Sequence, residues 1–182
     1  MGMGTGMGTY EFLIVFVVSL ILFVNLCNGN EVVTKICQQT KDVQFCLNTF
    51  ESDVRSNAVA DAHGMALLSI SITNNNIQDT MDRFPDIRQT LKDRISKHRL
   101  NVCQYDYRRA FREFRGAYFL VDKNSYWDSM DAVANATNRV IECQNVYRSS
   151  DPIGESPIAA DNLKVISLSG LISAIINILL GN

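Results

Sequence analysis

The chain has 182 residues, a net charge of −2 and a hydrophobic fraction of 47%. A charge so near zero excludes a global pull toward nucleic acid, and the length bounds the chain at one domain large enough for a real core. Prolines only at 85, 152 and 157 leave long uninterrupted tracts, which suit long helices better than a β-sandwich.

At the N-terminus, "FLIVFVVSLILFV" (12–24) is an unbroken apolar run, too short to span a bilayer comfortably but the length of a secretory h-region. Cys27 and Gly29 put small side chains at −3 and −1, so a cut after Gly29 is expected. The preceding "MGMGTGMGTYE" lacks Lys and Arg, which keeps an uncleaved signal anchor as the alternative. Residue 6 is glycine where a myristoylation motif wants Ser or Thr. Removing residues 1–29 takes Cys27 with it and leaves Cys37, Cys46, Cys103 and Cys143, an even set bound for an oxidising compartment. No C-x2-4-C zinc pair and no C-x-x-C redox motif is present. Cys37 and Cys46 are expected in a disulfide. Four cysteines allow three connectivities; proximity favours Cys37–Cys46, leaving Cys103–Cys143, with the choice open at this point.

The first mature segment reads as two short helices, about 31–38 and 42–50, with Val32, Val33 and Ile36 on one apolar face and Val43, Leu47 and Phe50 on the other. Each is shorter than a helix stable alone in water. A ring of about ten residues closed by a disulfide contributes roughly 2.7 kcal/mol in the loop-entropy picture, and one of about forty roughly 4 kcal/mol. The smaller figure matters more locally, because the hairpin has little else to hold it.

Next, Ala60, His63, Leu67, Ile70, Asn74, Ile77, Met81 and Phe84 follow the three/four step of a helix seam. "LLSISIT" within it alternates with period two, so a short strand is the runner-up. Pro85 is expected to stop or kink this helix near Phe84. Leu100, Cys103, Tyr107, Ala110, Phe114, Ala117 and Val121 give a second seam. Tyr126, Met130, Val133, Thr137, Val140, Gln144 and Tyr147 give a third. "SSDPIGESPIAAD" is a loop. The last segment, "NLKVISLSGLISAIINILL", is apolar around most of its circumference, with a polar strip at Ser169, Ser173 and Asn177. A bundle helix is favoured over a membrane segment, because Ser, Gly and Asn interrupt the run and no basic anchors flank its end.

Candidate chemistry is sparse. No G-x-S-x-G or H-E-x-x-H occurs. His63 sits at a seam position, as a hydrogen-bonded core histidine would; His98, between Lys97 and Arg99, reads as solvent-facing. Asp79, Asp82 and Asp86 lack the ligand order of a calcium loop. No catalytic set, metal site or cofactor is expected. Arg108, Arg112 and Arg115 lie within about 60° of one another on a helical wheel, flanked by Tyr105. The plain expectation is a solvated face whose arginines pair with Asp106 or Glu113. The sharper one is a partner-binding stripe, since Arg and Tyr are enriched in interface hot spots. Asn135-Ala136-Thr137 is the one N-glycosylation sequon, and Asn135 falls about 180° from the third seam.

Four stretches in order, "CQQTKDVQFCLNTF", "LNVCQYDY", "DAVANATNRVIECQNVY" and "SPIAADNLKVISLSGLISAIINILL", resemble the plant invertase and pectin methylesterase inhibitor family over nearly all of the mature length. The resemblance implies an all-α fold, an up-down-up-down four-helix bundle (52–182) preceded by a disulfide-stapled helical hairpin (30–51). It also implies Cys37–Cys46 within the hairpin and Cys103–Cys143 tying the second bundle helix to the third. Similar proteins are not enzymes; they bind a cell-wall or vacuolar carbohydrate-processing enzyme and cover its substrate cleft. Two departures stand out. The hairpin turn "QTKDVQ" lacks the proline common in relatives. Tyr126-Trp127-Asp128 occupies the place where invertase-directed members often carry Pro-Lys-Phe, which weighs against invertase as target.

The expected function is thus a secreted inhibitor of pectin methylesterase in the apoplast and cell wall. Its partner is that enzyme, with no nucleic acid, no small-molecule substrate and, after signal removal, no membrane. One alternative is an inhibitor of acid invertase (β-fructofuranosidase) in cell wall or vacuole. The other, of a different class, is a membrane-tethered structural or interaction protein.

Overall fold

The computed structural model describes residues 31–149 and 151–181. The expected signal segment, its cut and Cys27 lie outside the described residues. Helix α1 spans Glu31–Cys37 and α2 spans Val43–Glu51, followed by a 3-10 turn at Val54–Ala58. Four longer helices follow: α3 (Ala62–Thr90), α4 (Arg94–Asp122), α5 (Tyr126–Asn145) and α6 (Ala159–Leu180). Among the described residues there is no strand.

Aspartates start three of the helices. Asp42 accepts from the Phe45 amide at 2.9 Å, Asp61 from Gly64 at 2.8 Å and Asp93 from Ser96 at 2.7 Å. Each satisfies an amide that has no partner within its own first turn. That bond holds the Asp93 carboxyl below its ordinary range. Short connections at residues 91–93 and 123–125 force neighbouring helices antiparallel, and Asn124 supplies the positive φ (60°) that the second needs. Helix α3 packs on α4 and α6, and α5 packs on α4 and α6, closing an up-down-up-down bundle.

The second seam is buried in full, from Leu100 to Val121. The other two are rotated from expectation. In α3 the inward residues are Ala66, Ser69, Ile70, Thr73, Ile77, Thr80 and Phe84, while His63, Leu67, Asn74 and Met81 are half-buried and Ala60 is exposed. Hydroxyls cause the shift. Ser69, Thr73 and Thr80 donate to the carbonyls of Ala66, Ser69 and Asn76 at 2.8–2.9 Å, so they bury without an unpaired group. In α5 the centre moves to Ser129, Val133, Ala136, Val140 and Cys143. Ser129 donates to the Ala117 carbonyl at 3.1 Å, and small side chains let α5 approach α4 closely.

"LLSISIT" is helical, and Pro85 does not stop α3, which runs on to Thr90. Pro85 is exposed, so water can replace the donor that it lacks. In the hairpin, Val43 is 38% exposed, and α2 instead turns Cys46, Thr49 and Phe50 inward. Helix α6 is long and apolar enough to cross a membrane by length and composition. Here it packs on α3 and α5, burying Val165, Leu168, Leu171, Ile172, Ile175 and Ile176. Ser169 of the polar strip is buried too, donating to the Val165 carbonyl at 2.8 Å.

The loop before α6 is pinned by Arg99, which the sequence pattern did not single out. Arg99 is 4% exposed, donates to the Pro152 carbonyl at 2.8 Å and lies 5.7 Å from the Tyr147 ring centroid.

Candidate docking face

Both short-range and long-range thiol pairs are closed. Cys37 bonds Cys46 and joins α1 to α2 with Cα atoms 5.5 Å apart; Cys103 bonds Cys143 and joins α4 to α5 at 4.5 Å. All four cysteines are fully buried.

The inward seam of α4 fixes its outward face, about 180° away on the wheel. Tyr105, Arg108, Arg112 and Arg115 all project there and are exposed, Tyr105 by 57%. So the structure brings the four together. It does not pair them as the plain expectation held. Among the described residues the ion pairs are Arg55–Asp53 at 2.5 Å, Arg83–Asp161 at 2.6 Å and Arg139–Glu142 at 2.8 Å. Arg108, Arg112 and Arg115 belong to none of them. Glu113 is half-buried on the flank, and Asp106 points inward.

Asp106 is only 4% exposed, and its carboxyl is pushed up to about 6, first by burial and then by the negative charge of Glu142. The cations of Arg139 and Arg109 oppose that rise. Sequence reasoning placed Asp106 on the solvated side as a counter-ion for the arginines that follow it. Its angle to the seam was the available signal.

Two further residues of this face were missed. Arg109 donates to the Tyr105 hydroxyl at 3.1 Å and sits 5.7 Å from its ring centroid, bracing the tyrosine. Phe119, four residues beyond Arg115, is 53% exposed on the same face.

The other candidates fall elsewhere. Asn135 is exposed on α5, while Thr137 donates to the Val133 carbonyl at 2.7 Å. His63 is half-buried rather than in the core, with Nδ1 3.1 Å from the Tyr126 hydroxyl. That hydroxyl donates to Asn124 at 2.8 Å, so the imidazole Nδ1 is the protonated nitrogen. His98, Asp79, Asp82 and Asp86 are exposed. Among the described residues no group of three His, Cys, Asp or Glu side chains is placed to hold a metal. Surface depressions of about 400 Å³ lie between the hairpin turn and α6, and beside the start of α3. Neither is lined by a histidine or a cysteine.

Comparison with known proteins gives a consistent picture. The family model described as "Plant invertase/pectin methylesterase inhibitor" matches residues 31–177. The chain is similar to Pectinesterase inhibitor 5 of Arabidopsis thaliana, 32% identical over 145 residues, covering 80% of this chain and 81% of that one. It is also similar to the pectinesterase inhibitor of Actinidia deliciosa, 26% identical over 154 residues, with 84% and 82% covered. Among solved structures, a pectin methylesterase inhibitor from Arabidopsis thaliana superposes with a TM-score of 0.60 at 18% identity, covering 84% of this chain and 98% of that one. A mutant form of an Arabidopsis inhibitor gives 0.66 at 19% identity, with 80% and 95% covered. At that identity the two structures speak for the bundle alone.

Proposed function

The chain belongs to the plant invertase/pectin methylesterase inhibitor family, and from that premise we propose that it is a secreted inhibitor of pectin methylesterase, binding the enzyme stoichiometrically and covering its substrate cleft. The observation that carries this is the 32% identity, over four-fifths of the chain, to a protein named for pectinesterase inhibition. The bundle suits the task physically. An occluding protein needs a surface set before encounter, because ordering a flexible one would be deducted from affinity. Two buried crosslinks and a continuous core provide such a surface.

The proposed export signal is residues 1–29, with the domain beginning at residue 30 and the protein acting in the apoplast. N-terminal sequencing of secreted protein should start at Asn30; an intact N-terminus that partitions into detergent would favour the tethered alternative. The proposed docking residues are Tyr105, Arg108, Arg112 and Arg115, at the centre of an interface of about 1,600 Å². Asn135 is a proposed glycan site, since a sugar there projects away from the core. A mobility shift on glycosidase treatment of secreted protein tests it.

The deciding experiment titrates purified, oxidised protein against a plant pectin methylesterase and a plant acid invertase. With enzyme well above the dissociation constant, activity of the esterase should fall linearly and break near one equivalent. Inhibition of invertase alone would reverse the assignment, and inhibition of neither would overturn it.

A further inference from the structure

The outward face of α4 keeps one character well beyond its four central residues. Arg94 in the first turn and Lys123 at the C-cap are exposed close to the same meridian, with Arg109, Tyr105 and Phe119 between them. Asp106 and Glu113 lie about 140° and 120° from that meridian, and exposed Asp122, about 60° from it, is the one acidic side chain of the helix at the stripe's edge. Helix α3 adds to the run, since exposed Arg88 donates to Asn101 on the same face. A chain with a net charge of −2 has thus gathered a predominantly cationic stripe on one helix, with acidic residues only near its two ends. Arg94 also stands at the positive end of the helix dipole, one residue after the capping carboxylate of Asp93. Its placement works against helix stability.

We propose that this face binds a carboxylate-rich polysaccharide, namely pectin whose methyl esters have been removed. The family reading enters only in naming the polymer. A pectin methylesterase converts a methyl ester and water into a carboxylate, a proton and methanol, so polyuronate accumulates where such an enzyme works. Shape favours a linear polymer over a compact protein patch. The 29-residue helix is about 43 Å long, whereas a standard footprint of about 800 Å² is roughly 30 Å across. Chemistry agrees: guanidinium forks match carboxylates two bonds at a time, and exposed aromatic faces at Tyr105 and Phe119 suit the C–H faces of sugar rings. Such binding concentrates the inhibitor on wall already de-esterified. Polymer and enzyme then compete for the centre of the face.

The test is done without enzyme, by co-sedimentation or affinity electrophoresis of the disulfide-intact secreted protein with polygalacturonate and with fully methyl-esterified pectin. Polygalacturonate should bind, more weakly as salt rises, and the esterified polymer should not. Arg108→Glu with Arg112→Glu should weaken binding about tenfold or more, and Arg94→Gln with Lys123→Gln by about threefold. All four side chains are exposed, so circular dichroism should show an unchanged fold. Equal binding of both polymers, or wild-type binding by the double glutamate variant, overturns the proposal. So does a wild type that ignores polygalacturonate while the double variant loses enzyme inhibition, which leaves an acidic protein surface as the occupant. Polymer binding by a protein that inhibits no esterase supports the polymer proposal and sinks the inhibitor reading.

Discussion

Replacing Asp106 with asparagine should make the protein more stable at neutral pH and leave it little changed near pH 4. The folded carboxyl sits at about 6 against an ordinary 3.8, so between those values the folded state holds a proton that the unfolded chain has released. Stability is therefore fully present below about pH 4 and is lost as pH rises through about 6. The full span of that loss is about 3 kcal/mol, taken from the difference between the two values. Asparagine keeps the shape and removes the charge, so the variant should gain on wild type by up to that amount at pH 7. The groups facing Asp106 are Glu142 and Arg139 on α5 and Arg109 on its own helix; Glu142 adds to the effect and the arginines reduce it. Urea unfolding at pH 4 and pH 7, with both disulfides intact, measures the four free energies directly. If wild type and variant lose stability in parallel between those pH values, the buried carboxyl is not the proton-linked group and the reasoning fails.

Three further outcomes follow from the packing. Converting Cys37 and Cys46 together to alanine should destabilise the hairpin by about 2–3 kcal/mol, read as loss of amide protection in α1 and α2 ahead of the bundle; uniform loss across all helices would contradict a local staple. Tyr107→Phe removes the buried 2.7 Å bond to Asn162, whose Nδ2 already lacks a partner, and should cost about 1–3 kcal/mol in chemical denaturation. Asp61→Ala removes the cap of α3 and should cost about 1 kcal/mol, with Asp61→Asn restoring most of it.

How much of this was legible beforehand varies by helix, for identifiable reasons. The α4 seam could be read residue by residue because its inward side chains are apolar and its outward ones charged. In α3 the same step exists, but a hydropathy pattern scores serine and threonine as outward, and Ser69, Thr73 and Thr80 silence their hydroxyls on their own helix. Pro85 read as a stop or a kink because sequence carries no statement of which side of the helix is wet. Asp106 was misplaced and Arg99 passed over because neither one's burial is set by its own helix alone. Arg99 follows Lys97 and His98, and Asp106 stands two residues before Arg108, while their burial is decided by the loop before α6 and by α5. The cationic stripe was visible as a cluster. Its lack of counter-ions was not, because whether Arg108 meets Asp106 depends on where Asp106 turns.

The bond between Cys103 and Cys143 has a consequence for the helix that carries the stripe. Cys103 lies two residues before Tyr105, and its partner is anchored in α5, so α4 can neither slide nor roll past its neighbour there. The guanidinium groups are consequently spaced like marks on a ruler, graduated when the crosslink closes. A chain left reduced would carry the same charges on a looser backbone, and counting charges alone would not tell the two apart.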